Sequence, residues 1–204
     1  MSAYKSEFWD ERFSAEEFIY GTEPNQFFKE EIDKISSPGK LLLPGEGEGR
    51  NAIYAAGCGW QVDAVDQSLI AKLKAESFAK KSNVKINYSV ADLTTFSPQK
   101  NHYDCAAIIF VHLNTDLRKK LHKRIIESIR INGKIILELF SKKQLGKHSG
   151  GPQDLSMLNS VEEIYDDFKE MKIFMIEERQ ILLNEGDKHS GEASVVRFVG
   201  EKIY

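Results

Sequence analysis

Apolar positions fall into three kinds of pattern along the chain, and their alternation outlines an α/β protein. Leu41, Leu42 and Leu43 form a short unbroken apolar run, as expected of a strand buried on both faces. A glycine turn follows, and Asn51 to Ala56 reads as a helix closed by Gly57. Gln61 to Val65 is a second strand ending in Asp66, and Ser68 is a good N-cap for a helix over Ile70 to Lys81. Val84, Ile86, Tyr88 and Val90 alternate, which predicts a third strand over Val84 to Val90. Tyr103 to Val111 is apolar almost throughout and reads as the central fourth strand, ending in His112. Asn114 to Ile131 carries a helical stripe of Leu117, Leu121, Ile125 and Ile129. Asn132-Gly133 then turns into a fifth strand, Lys134 to Phe140, with Glu138 near its end. The long irregular stretch Ser141 to Asn159 precedes a last helix, Val161 to Phe168. Two strands, Lys172 to Leu183 and Ala193 to Ile203, are joined by the polar connection Asn184 to Glu192.

Upstream of the first strand, Phe8, Phe13, Phe18 and Ile19, then Phe27, Phe28, Ile32 and Ile35, predict two helices. Their link is the turn-forming Tyr20 to Asn25, with the second helix starting near Pro24 or Asn25. Tyr4, Phe8, Trp9, Phe13, Phe18, Tyr20, Phe27 and Phe28 make this segment aromatic. They can pack a helical layer onto the sheet, or form a lid whose ring faces attract a cation.

At 204 residues the chain fits one domain, with residues 1–36 as a helical cap and 37–204 as the core. The net charge of -3 offers no bulk attraction to nucleic acid or anionic membrane. The basic cluster Arg118, Lys119, Lys120, Lys123 and Arg124 reads as a solvated helix face. Cys58 and Cys105 have no CxxC spacing, and Cys105 lies in an apolar strand. No apolar run approaches the ~18 residues of a membrane span, and the charged N-terminus lacks a signal core. A cytoplasmic protein is expected. His102, His112 and His122 are too scattered in sequence to suggest a metal site.

The glycine turn is where composition becomes chemistry. Gly45-x-Gly47-x-Gly49 is tighter than the dinucleotide pattern, with Arg50 at the sixth position and no Lys-Ser or Lys-Thr after it. Its spacers are Glu46 and Glu48. Carboxylates beside a helix N-terminus oppose a pyrophosphate and suit a cation. Asp66, at the tip of the second strand, can accept from both hydroxyls of a ribose, a role that NAD sites also use. His112 ends the central strand, where α/β sheets bind ligands, and could take a proton or shape the wall.

This turn, with Val65-Asp66-Gln67-Ser68 and Ala91-Asp92-Leu93, resembles the class I S-adenosyl-L-methionine (SAM)-dependent methyltransferases, and most closely the small tellurite-resistance and thiopurine or thiol methyltransferase-like group. The resemblance runs from Trp9 to Lys202. It implies a Rossmann-like seven-stranded sheet in the order 3-2-1-4-5-7-6, mostly parallel with one antiparallel strand, helices on both faces and an N-terminal helical cap. It implies SAM as cofactor, with Gly45, Gly47, Gly49 and Arg50 at the methionine turn, Asp66 and Gln67 at the ribose, and Asp92 and Leu93 at the adenine. A WDxRF-type segment and a YGxxPN-type turn make Trp9, Arg12, Tyr20 and Pro24 cap candidates. A histidine in the last connection makes His189 a second acid/base candidate beside His112. One departure is plain: the family has an acid where this chain has Leu43, followed by Pro44. Glu46, where the family has Cys or a small residue, is expected to take over the ammonium.

The implied reaction is in-line methyl transfer to a small-molecule nucleophile such as a thiol or chalcogen oxyanion, with catalysis largely by positioning. A hydroxyl or amine acceptor would need a base, either His112 or His189. Three competitors share the scaffold: a catalytically silent SAM-binding module, which Leu43 would suit; an NAD-dependent oxidoreductase; and a nucleic-acid methyltransferase, for which no Asn-Pro-Pro-aromatic motif is present.

Overall fold

A computed structural model describes residues 5–204, so Tyr4 lies outside it. Seven strands form one sheet in the order β3-β2-β1-β4-β5-β7-β6. They are β1 (Lys40–Pro44), β2 (Gln61–Asp66), β3 (Asn87–Val90), β4 (Tyr103–Ile109), β5 (Ile129–Phe140), β6 (Lys172–Asn184) and β7 (Ser190–Glu201). The first five run parallel, and β7 is antiparallel to both β5 and β6. Among the described residues six α-helices complete the fold: α1 (Ser6–Phe13), α2 (Gln26–Ile32), α3 (Arg50–Gly57), α4 (Leu69–Lys81), α5 (Thr115–Ser128) and α6 (Val161–Phe168).

The two-residue period of the strands builds a core on each face of the sheet. Leu41, Leu43, Cys105, Ala107 and Ile109 point to one side, against Phe27, Phe28, Ile32, Ile53 and Trp60. Leu42, Ala106 and Ile108 point to the other, against Leu121, Ile125, Phe168 and Phe198. Cys105 is core, and Cys58 is exposed. Among the described residues no helix is long and apolar enough to cross a membrane.

Several boundaries differ from those expected. Gly57 is the last residue of α3, and the left-handed residue that closes the helix is Gly59 (φ 93°). β3 begins only at Asn87, because the Asn83 turn (φ 55°) comes first. α5 stops at Ser128, and Ile129 to Ile131 belong to β5, whose register shifts near Asn132 (φ 66°). β4 ends at Ile109 rather than Val111, since Phe110 takes a left-handed backbone (φ 52°) that bulky residues rarely adopt. The basic face of α5 is not uniformly solvated. Arg118 is buried against Asp167 (2.8 Å) and Asn159 (3.0 Å), and Arg124 donates to the carbonyls of Leu93 and Thr94. Two 3-10 turns, Lys142–Gln144 and Leu155–Met157, punctuate the stretch after β5.

The cap docks at defined points. Asn25 caps α2 by accepting from the Phe28 N–H at 2.8 Å. Asp10 on α1 accepts from the Ser68 hydroxyl (2.5 Å) and the Ile70 N–H (3.2 Å), so α1 is tied to the first turn of α4.

Candidate active-site cleft

The carboxyl ends of β1, β2 and β4 open into one cleft under the cap. Gly45, Glu46, Gly47, Arg50, Asp66, Gln67, Asp92, Leu93, His112, His189, Trp9 and Tyr20 all line it. The structure thus gathers in one place residues spread over almost the whole chain. Gly49 is not among them. It is the left-handed residue (φ 94°) before α3, and a Cβ there would lie 2.7 Å from both Ala75 Cβ and Ile53 Cδ1. Its role is helix packing behind the turn. Arg12 lies outside the lining and donates to the Tyr20 hydroxyl at 2.9 Å, and Pro24 borders a separate groove beside α2.

The turn brings backbone close to the cleft. Gly45 (φ 69°) donates to the Val65 carbonyl at 2.7 Å, and a Cβ on it would sit 2.7 Å from Val111 Cγ2. Asp66 braces the turn by accepting from the N–H groups of Gly47 and Ser68, each at 3.0 Å. Burial pushes the Asp66 carboxyl up to about 6, against the pull of those donors. Glu46 folds back over the start of α3, accepting from the Ala52 N–H at 2.7 Å and from Asn51 Nδ2 at 3.4 Å. Its burial raises the carboxyl to about 7. Glu48 turns the other way, to the Ile19 N–H (2.9 Å) and Lys74 (2.5 Å), and so ties the cap to α4. Asp92 forms an Asx turn with the Thr94 N–H at 2.8 Å at the exposed rim.

The opposite wall is aromatic. Trp9 stacks on Phe13 (5.7 Å), and Phe13 meets Tyr20 edge-on (6.3 Å). Phe110 stacks on Phe140 at 4.5 Å, and His112 stacks on Phe140 at 5.5 Å. The Nδ1 of His112 is buried and has no hydrogen-bond partner among the described residues. Burial holds this imidazole near 3, so it is neutral. His189 packs between Tyr20 (4.5 Å) and Phe110 (4.7 Å), with Nδ1 3.3 Å from Glu185.

Arg50 faces the cleft with its charge already committed. It donates to Glu185 at 2.8 Å and to the Tyr20 carbonyl at 3.2 Å. Sequence reasoning did not single out Glu185, Asn51, Phe110, Val111 or Leu113 as site residues. Only Glu185 carried a signal, an acid four positions before a histidine.

A doubly wound sheet in this order, with a glycine turn after β1 and acids ending β2 and following β3, defines a class I Rossmann-like methyltransferase fold. Within that class, the chain belongs to the family of the tellurite resistance protein TehB, whose model matches residues 19–180. A curated relative from Haemophilus influenzae, named a probable S-adenosyl-L-methionine-dependent methyltransferase TehB, is 27% identical over 101 residues. That match spans 49% of this chain and only 35% of the relative. Among solved structures, TehB from Haemophilus influenzae superposes with a TM-score of 0.73 at 17% identity, covering 97% of this chain and 66% of that one. A structure described as concerning conversion of a disulfide bond into a thioacetal group during echinomycin biosynthesis gives 0.78 at 15% identity, covering 97% and 92%. A Haemonchus contortus phosphoethanolamine N-methyltransferase 2 in complex with SAM gives 0.70 at 18%, covering 97% and 56%. At these identities the superpositions speak for the fold.

Proposed function

We propose that this chain binds SAM across the ends of β1, β2 and β4 and catalyses transfer of its methyl group to a small-molecule nucleophile, a thiol, a chalcogen oxyanion or a similar acceptor. The observation that carries this reading is the set Glu46, Asp66 and Asp92. None of the three is ion-paired with a Lys, Arg or His among the described residues, and they face an aromatic wall. Glu46 and Asp66 are buried, and a buried carboxylate is costly to ionise unless a cation or hydroxyl donors satisfy it, while Asp92 stands at the exposed rim. SAM offers an ammonium, a sulfonium, two ribose hydroxyls and an adenine amino group, and no phosphate. The names of TehB and its relatives support the same cofactor.

The cofactor, when bound, supplies a methyl group made electrophilic by its sulfonium. The chain supplies the rest. Asp66 accepts from the ribose hydroxyls, with Gln67 beside it. Asp92 and Leu93, which line the cleft, would hold the adenine end. Glu46 offers the carboxylate that Leu43 lacks to the ammonium. Gly45 and Gly47 leave room for close approach, and Trp9, Phe13 and Tyr20 exclude water and present ring faces to positive charge. In-line geometry alone can supply roughly 7–11 kcal/mol.

The test is release of S-adenosylhomocysteine from SAM in the presence of small thiols, tellurite or selenite, against an acceptor-free control. Acceptor-dependent release supports the reading. SAM binding without release for any acceptor would favour a silent SAM-binding module.

A further inference from the structure

We propose that the outer edge of β6 is the interface for a second copy of this chain, the two β6 strands pairing antiparallel about a two-fold axis at Glu178. β6 ends the sheet and, among the described residues, pairs only with β7. Its other edge presents N–H and C=O groups that can template a further strand. Such edges are ordinarily blunted by shortness, proline or bulges. The opposite edge of the sheet follows that rule, since β3 has 4 residues. β6 has 13, contains no proline or glycine, and keeps an unbroken register with β7 from Met175 to Asn184. Its register shifts once, between Ile173 and Met175.

The order of residues along β6 selects the occupant. A two-fold axis sets each residue of an antiparallel pair opposite the one equally far beyond the axis. With the axis at Glu178, Glu177 stands opposite Arg179 of the partner subunit, Met175 opposite the partner's Ile181, and Phe174 opposite the partner's Leu182. Every such contact occurs twice. Phe174 and Leu182 are 51% and 77% exposed, the two exposed large apolar side chains of this strand, and they are equally spaced about Glu178. Exposed to water in a single chain, they cover each other in the pair. The charges match as well. Arg179 Nε lies 3.2 Å from Glu177 within one chain, so pairing builds a cluster in which acid and base alternate. Glu178 meets the partner's Glu178 at the axis, and Lys143 of its own chain is ion-paired with it there, which offsets the repulsion. Lys172 comes opposite the partner's Asn184, which lines the groove beside α2 together with the exposed Glu23 and Glu30. Moving the axis by one residue would set Arg179 opposite the partner's Met175 or the partner's Arg179, and these matches would be lost. An unrelated strand would have no reason to repeat this pattern in reverse order.

The experiment measures the mass of the full chain in solution by light scattering, over a concentration series. The parent should reach twice the chain mass. Arg179→Glu and Glu177→Arg should each weaken the dimer by about tenfold or more, because like charges then face each other on both sides of the axis. Mixed in equal amounts, the two variants should pair with each other near the parent's affinity, since every acid again faces a base. The double swap Glu177→Arg with Arg179→Glu should dimerise by itself. Circular dichroism checks that each variant is folded. Leu182 is so exposed in the single chain that Leu182→Asp leaves the fold intact, and it should weaken the dimer likewise, which keeps the test open should a charge variant fail to fold. A parent that stays monomeric at its highest soluble concentration overturns the proposal, even if the edge takes up a strand of some other protein. A dimer indifferent to these variants would have its interface elsewhere and overturns it too. A mixture that fails to pair, or a double swap that stays monomeric, excludes the two-fold axis at Glu178 and with it the proposal. None of these residues lines the cleft, so the result is independent of the cofactor reading.

Discussion

Glu46 and Asp66 are the residues on which the cofactor reading turns, and both titrate in an accessible window. Their folded-state values are raised, to about 7 and about 6, so the ligand-free protein holds protons that the unfolded chain would release. Each group's contribution to stability is full below its unfolded value and is lost as pH rises through its folded value. A cationic ligand reverses that cost, because it favours the ionised carboxylates. SAM affinity should therefore strengthen by about tenfold or more between pH 5.5 and 7.5, and Glu46→Gln should remove the upper part of that rise. His112, held near 3, stays neutral throughout the window. A flat profile in the parent protein would contradict the assignment. At this scale the sequence was informative wherever a residue's place follows from the strand it ends: Asp66 after β2, Asp92 after β3, His112 after β4. It was silent on Glu185, whose meaning depends on Arg50, Asn25 and His189 converging from α3, α2 and the last hairpin. For the same reason the sequence did not show that Arg50, which lines the cleft, also pairs with Glu185.

Among the elements, α2 depends most visibly on a single side chain. Asn25 accepts from the Phe28 N–H, and its amide donates to Glu138 (2.7 Å) and Glu185 (3.0 Å). Asn25→Ala removes the cap and deprives the buried Glu138 and the part-buried Glu185 of a donor. A loss of about 2 kcal/mol in urea denaturation is expected, and a loss near zero would mean that the cap is dispensable. α1 is held differently, by Asp10 at the start of α4 and by Trp9 and Phe13 over the cleft. Asp10→Ala should leave global stability almost unchanged, speed tryptic cleavage after Arg12, and let SAM restore protection. Unchanged cleavage would show that the rings alone hold the helix. The elements were legible because periodicity is local, and α6 was expected over the very span observed, Val161–Phe168. Ends set by single left-handed residues were not read correctly: Phe110, Asn132 and Gly59 all take a positive φ, and none was assigned one from the pattern of apolar positions.

Across the whole molecule, a chain of buried and part-buried polar bonds runs beside the cleft. Arg197 on β7 donates to Glu138 on β5 (2.6 Å), Glu138 accepts from Asn25, Asn25 also donates to Glu185, and Glu185 in turn holds Arg50 and His189. The cap, the core sheet and the last hairpin are thereby fastened at one place, so a ligand filling the cleft stabilises them together. SAM at about 100 times its Kd should add about 2.7 kcal/mol and raise the melting temperature. The most direct measurement is isothermal titration of the folded protein with SAM and S-adenosylhomocysteine, with NAD as the control. Binding of both sulfur ligands and none of NAD is the predicted result. Folded protein that ignores SAM, or that binds NAD in its place, would contradict the account.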